Sequence, residues 1–182
     1  MARQQKQAIV QVSTPAVPVK SLFERVAGHL DTHDWTYTAN EEKQYFSTGC
    51  RLMDASVRVI LDVHETEDWQ RVLVYSLFPV FVPEGRRAAV AESINRLNCG
   101  LIFGNLEMDA TDGEVRVRTI VESGGGLDDT MIDRALGSNL DAAGRFLAPI
   151  LAVAFGNVAP DKALDLIPQN KAEAVPQTAT VQ

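Results

Sequence analysis

The sequence predicts an α+β fold: a single antiparallel sheet with helices mostly on one face, in the order α-β-β-β-α-β-β-α. Three observations carry this. Apolar residues recur at helical spacing after Ser21, after Pro83 and after Leu127. Elsewhere they alternate with polar residues at the period of a strand, most cleanly over 56–64 and 114–122. The connections between strands are short and polar, which favours antiparallel hairpins.

The first helix starts near Ser21, where Ser21-Leu22-Phe23-Glu24 fits a capping box. In that motif the serine hydroxyl and the glutamate carboxylate each satisfy an amide donor left open at the helix start. Leu22, Val26 and Leu30 share a face, and the helix ends before Asp34-Trp35. Three strands follow, around Gln44 to Leu52, Ser56 to His64 and Arg71 to Val82. Val57, Val59, Leu61 and Val63 point to one side of the second, and the polar loop Glu65-Thr66-Glu67-Asp68 joins it to the third. Pro83 stops the sheet and suits the first turn of a helix from Glu84 to Leu97, where its missing amide donor is not needed. Val90, Ile94 and Leu97 form that helix's stripe, and Gly100 or Asn98 can end it in a left-handed conformation.

A second hairpin pairs Asn105 to Ala110 with Glu114 to Glu122 through Thr111-Asp112-Gly113. In its later strand Val115, Val117, Thr119 and Val121 face the core. Glu114, Arg116, Arg118 and Glu122 face water. After the loop Ser123-Gly124-Gly125-Gly126, Asp128 caps the last helix, with Leu127 and Ile132 as a hydrophobic staple. This helix reaches about Phe155, with a kink at Pro149, and a short turn spans Asp161 to Ile167. The domain reading is a flexible leader over 1–17, an α+β domain over 18–157 and a mostly disordered tail over 158–182.

Composition removes several function classes. The chain has 182 residues, enough for one domain with an ordinary core, and its formal charge is −7. Its 17 basic residues are scattered, with no run longer than Arg86-Arg87, so phosphate-driven nucleic-acid binding is not expected. It would require folding to gather Arg86, Arg87, Arg96, Arg116 and Arg118 on one side. Cys50 and Cys99 are two isolated thiols and form no disulfide framework. Neither a signal peptide nor a membrane span is read, and the expected location is cytoplasmic.

Candidate chemistry is sparse. His29 and His33 are four residues apart, a spacing used by some metal sites, but Asp31 and Asp34 do not complete a recognisable ligand set. The pair reads as exposed capping and polar surface. The triple glycine lacks the lysine of a phosphate-binding loop, and Asp128 and Asp129 would repel a phosphate. Cys99 precedes an apolar stretch and is expected to be buried. Glu65, Glu67 and Asp68 read as a solvated turn. No catalytic residue, metal ligand or cofactor is assigned.

The strand Arg71 to Val82 is the informative one, because it is apolar on both faces. Val72, Val74, Phe78, Val80 and Val82 lie on one side, and Leu73, Tyr75, Leu77 and Phe81 on the other. Helices on one side leave the second set open, with Ile60 from the neighbouring strand. Ile60, Leu73, Tyr75, Leu77 and Phe81 are therefore the candidate partner-binding residues.

The chain also resembles the YbjN family of bacterial sensory transduction regulators, a family similar in fold to type III secretion chaperones. The residues that carry the resemblance are Ser21 to Leu30 followed by Asp34-Trp35, Phe81-Val82-Pro83 and Ile94-Asn95-Arg96-Leu97-Asn98. Gly104-Asn105-Leu106-Glu107 before the Asp112-Gly113 hairpin, and the helix after Leu127-Asp128, complete it. It spans roughly residues 20–156; the triple glycine and both tails depart from it. The resemblance implies a chaperone-like α+β fold, often dimeric, with no established enzymatic chemistry. Residues and resemblance together point to a cytoplasmic, non-enzymatic binding module that holds a client protein or peptide on its apolar sheet surface. The alternative is a regulatory domain that senses a small ligand in a pocket under the helices.

Overall fold

The structure, a computed structural model, describes residues 20–52 and 55–167. The leader over 1–17 and the segment 168–182 lie outside the described residues. The elements run α1 (Leu22–Thr32), β1 (Tyr37–Asn40), β2 (Tyr45–Leu52), β3 (Ala55–Glu65), β4 (Gln70–Phe81), α2 (Glu84–Asn98), β5 (Asn105–Met108), β6 (Glu114–Ser123) and α3 (Asp129–Phe155). A 3-10 helix, Pro160–Leu166, follows, where the sequence indicates a short turn.

All six strands form one antiparallel sheet in the order β1-β2-β3-β4-β6-β5. The short edge strand β1 is additional to the sequence reading; Tyr37-Thr38-Ala39-Asn40 is too short to show alternation, and pairing with β2 makes it a strand. The excursion through α2 carries the chain past β4, so β6 returns beside β4 and β5 becomes the outer edge. Alternation decides which face is covered. Phe46, Val57, Val59, Leu61, Val72, Val74, Val115 and Val117 are buried, and the residues between them are not. All three helices contribute to this one core, through Leu22, Val26 and Leu30 of α1, Val90 and Leu97 of α2, and Ile132, Phe146 and Ile150 of α3. Phe46 stacks on Phe23 with 4.3 Å between ring centroids.

The helix starts form as their residues dictate. Ser21 and Glu24 make the capping box, and Asp128 accepts the Met131 amide at 2.8 Å. Glu65 adds a long-range cap: its carboxylate accepts the Leu22 amide at 2.8 Å, placing negative charge at the positive end of α1. It is therefore part of a helix-to-sheet joint and not a free turn residue. Gln70 extends the joint by accepting from Arg25 at 3.0 Å and from the Leu127 amide at 2.8 Å.

The end of α2 differs from the expectation. Cys99 caps it in a right-handed conformation, and Gly100 is not left-handed. The Asn98 amide substitutes by acting as a strand partner. It donates to the Leu106 carbonyl at 3.0 Å and accepts the Leu106 amide at 2.8 Å, pinning β5 to the helix. Cys99 is exposed and not buried, and Ile102 and Phe103 beyond it are exposed too. The loop from the helix end to the outer strand runs over the surface, and only Leu101 of that apolar stretch packs on the core.

Both arginines of the basic pair are tied to carbonyls. Arg86 donates to Val153 at the end of α3 at 3.0 Å. Arg87 donates to Val82, Ala110, Thr111 and Asp112, at 2.9–3.1 Å, clamping the β5–β6 turn. Gly113 in that turn has φ +87°, and a Cβ there would meet the Val82 carbonyl oxygen at 2.3 Å. Only glycine fits so close a backbone approach.

The described core holds a buried polar knot. The two amide hydrogens of Asn139 in α3 are shared among the Val74 carbonyl at 2.9 Å, the Val117 carbonyl at 3.1 Å and Thr119 Oγ1 at 3.1 Å. The Asn139 oxygen accepts from Ser76 at 2.6 Å. These bonds fix α3 over the β4–β6 seam, since a polar side chain buried without partners would be costly.

Candidate functional site

Among the described residues no helix covers the second face of the sheet, which is built from the residues that alternate with the core. Register aligns them in three cross-strand rows. Tyr45, Asp62, Leu73 and Ile120 form one. Ser47, Ile60, Tyr75, Arg118 and Asn105 form the next. Arg58, Leu77, Arg116 and Glu107 form the third. Neighbouring strands lie within about 5 Å of each other, so each row is a contact chain.

Ile60, Leu73, Tyr75 and Leu77 are thus brought together, and each is half-buried by its neighbours. Phe81 is not part of the group. It lies beyond a register shift between Leu77 and Phe81, opposite Glu114, and is 61% exposed. Ile120, 49% exposed opposite Leu73, belongs to the surface although the sequence reading passes over it. Its parity was legible: it sits between Arg118 and Glu122 on the water-facing side.

Charge interleaves with this apolar spine. Glu107 pairs with Arg116 at 3.2 Å and with Arg118 at 2.7 Å. The Arg116 guanidinium also lies over the Tyr75 ring, 5.4 Å from its centroid. Burial works against its charge, but the hydrogen bond to Glu107 and the carboxylates of Glu107 and Glu114 outweigh it and hold its proton more firmly than usual. Arg58 donates to Ser47 at 3.1 Å. At the centre the face hollows into an open concavity of about 530 Å³ lined by residues that include Tyr45, Arg58, Ile60, Asp62, Tyr75 and Arg116. The surface is therefore a mixed one, apolar in the middle with ion pairs around it.

The remaining sequence candidates fall elsewhere. Folding does not gather the five arginines: Arg86 and Arg87 hold carbonyls, Arg96 pairs with Glu92 at 2.7 Å, and only Arg116 and Arg118 reach the sheet face. Burial raises the Cys50 thiol above its ordinary pKa, away from thiolate reactivity. His33 caps α1, as read, whereas His29 is buried and not part of an exposed polar surface. It packs beneath the start of α3, an approach that chain order does not reveal. Among the described residues no helix is long and apolar enough to cross a membrane.

A family model described as "YbjN: Putative bacterial sensory transduction regulator" matches residues 23–152. No curated protein gives a significant match. Among solved structures, YbjN from E. coli, titled a putative transcription regulator, superposes with a TM-score of 0.50 at 9% identity, over 69% of this chain and 91% of that one. An uncharacterized protein from Methanothermobacter thermautotrophicus gives a TM-score of 0.46 at 15% identity, over 72% and 97%. The E. coli likeness is one of fold. The chain belongs to the YbjN family, to which its sequence motifs bear resemblance.

Proposed function

We propose that this member of the YbjN family is a cytoplasmic, non-enzymatic regulatory adaptor that holds a segment of a partner protein against its helix-free sheet face. The observation that carries the reading is the arrangement of that face. Ile60, Leu73, Tyr75, Leu77 and Ile120 occupy its centre, and Arg58, Asp62, Glu107, Arg116 and Arg118 surround them. An apolar centre within a polar rim is the anatomy of a protein interface. Tyrosine and arginine are also the side chains that most often dominate binding energy there. Each 100 Å² of apolar surface removed from water contributes about 2.5 kcal/mol before ordering costs.

The homodimer implied by the family resemblance is part of the proposal, and a second copy is the competing occupant of the same face. Sedimentation velocity at micromolar concentration, on the wild type and on Leu73→Asp and Tyr75→Asp, separates the two. Partner capture lost while a dimer persists supports the adaptor. A dimer converted to monomer assigns the face to the second copy. Unchanged capture and unchanged assembly reject the surface. The ligand-sensing alternative moves from under the helices, where Phe46, Leu61, Ile132 and Phe146 fill the space, to the open concavity around Ile60 and Tyr75. A metabolite that raises the melting temperature, and no longer does so after Tyr75→Asp, would favour it.

A further inference from the structure

On the helix side, remote from the sheet face, two imidazoles and a carboxylate converge where α1 meets the start of α3. We propose that His29, His33 and Asp133 form a site for a divalent transition-metal ion of the zinc class.

The three side chains each offer one ligand atom, and these atoms lie within 4.8 Å of one another. His29 Nε2 and Asp133 Oδ1 are 3.8 Å apart, too far for a hydrogen bond. Two ligands on one tetrahedral ion with bonds of about 2.1 Å stand roughly 3.4 Å apart, so an ion between them needs only a small contraction. His33 and Asp133 are exposed and free to make it. The rings of His29 and His33 already lie 4.4 Å apart, one helical turn from each other.

His33 Nδ1 lies 2.9 Å from the His29 carbonyl. A hydrogen donated there fixes the tautomer and leaves Nε2 with its lone pair outward, the usual outer support of a metal-bound histidine.

The surroundings fit a cation. Glu24, Asp129 and Asp133 line the same cleft of about 580 Å³. Of the two basic residues that line it, Arg25 is engaged with Gln70, and Lys20 stands at the rim before α1. Open positions on the ion would fall to water or to Asp129. Coordination would join α1 to α3, which otherwise touch lightly, and fasten the first helix to the last.

Cobalt(II) titration of the full chain, followed by zinc competition, tests the site. The site predicts visible ligand-field bands that zinc abolishes. Zinc at a hundred times its dissociation constant should raise the melting temperature by on the order of 5–10 °C. His33→Ala and Asp133→Ala alter exposed side chains and should keep the far-UV spectrum while weakening binding about tenfold or more. His64→Ala, at the remaining histidine, should bind as the wild type does. No bands, undiminished affinity in His33→Ala, or loss of binding in His64→Ala would overturn the proposal.

Discussion

Arg116 reaches across from β6 to lie over the ring of Tyr75, 5.4 Å from its centroid, while its guanidinium pairs with Glu107 at 3.2 Å. One contact thus shields an aromatic ring in the middle of a sheet face that no helix covers among the described residues, and keeps a charge at its border. It explains how so apolar a strand as β4 can face water on one side: the neighbouring strands supply ion pairs that cover part of it. Arg116→Ala should expose the Tyr75 ring without unfolding the domain. An exposed cation–π contact contributes about 0.5–1 kcal/mol and the part-exposed ion pairs to Glu107 and Glu114 about 0–1 kcal/mol each, so stability should fall by no more than roughly 1–2 kcal/mol. Urea denaturation followed by Tyr and Trp fluorescence measures it, and a loss of several kcal/mol would show that the arginine holds the sheet together.

Asn139 is the buried group on which α3 depends. Asn139→Leu leaves Ser76 without its acceptor and three acceptors without their donor. A buried unsatisfied group costs about 1–3 kcal/mol, so the variant should lose at least that much in chemical denaturation. A neutral result would mean that water or repacking satisfies the seam.

The turn at Gly113 predicts a sharper effect than its exposed surroundings suggest. Gly113→Ala puts a methyl 2.3 Å from the Val82 carbonyl oxygen at a φ of +87°. Residues forced into such conformations cost about 1–3 kcal/mol. Arg87→Ala removes the clamp on the same turn and should speed amide exchange across 105–123 more than in α1. Uniform exchange changes would argue that the clamp is not local.

His29 makes stability depend on pH in a stated direction. Its folded pKa lies below the ordinary 6.5, chiefly through burial and then through His33, with Asp133 and Asp129 acting in the opposite sense. The unfolded chain therefore takes up the proton first as pH falls. Stability is full above about pH 6.5 and declines below it, levelling once the folded value is passed. Urea midpoints across this range check the sign, and His29→Leu should flatten the slope.

Much of the fold was legible because local chemistry and tertiary packing agree in it. The Ser21 capping box, the alternation from Val57 to Val63 and the Asp112-Gly113 turn each specify one local structure, and each forms. What escaped reading depends on residues far apart in sequence. Glu65 looked like loop polarity until the Leu22 amide met it, and Cys99 looked apolar until the helix end proved to be surface. The sheet face was legible in part. Strand parity singled out Leu73, Tyr75 and Leu77, and the β3–β4 hairpin sets Arg58 opposite Leu77, but the register that places Ile120 opposite Leu73 and Arg116 opposite Leu77 needs the β4–β6 pairing. His29 and Asp133 are about a hundred residues apart, and no spacing rule links them.

The central claim is that the uncovered face of the sheet docks a protein. Site-specific photocrosslinking in the native host, from a probe at Leu73 or Ile120, tests it most directly. The account predicts one defined protein adduct from these positions, none from a probe at exposed Arg134 on α3, and loss of the adduct when Tyr75→Asp is added. Equal labelling from both sides of the molecule, or an adduct indifferent to Tyr75→Asp, would contradict it.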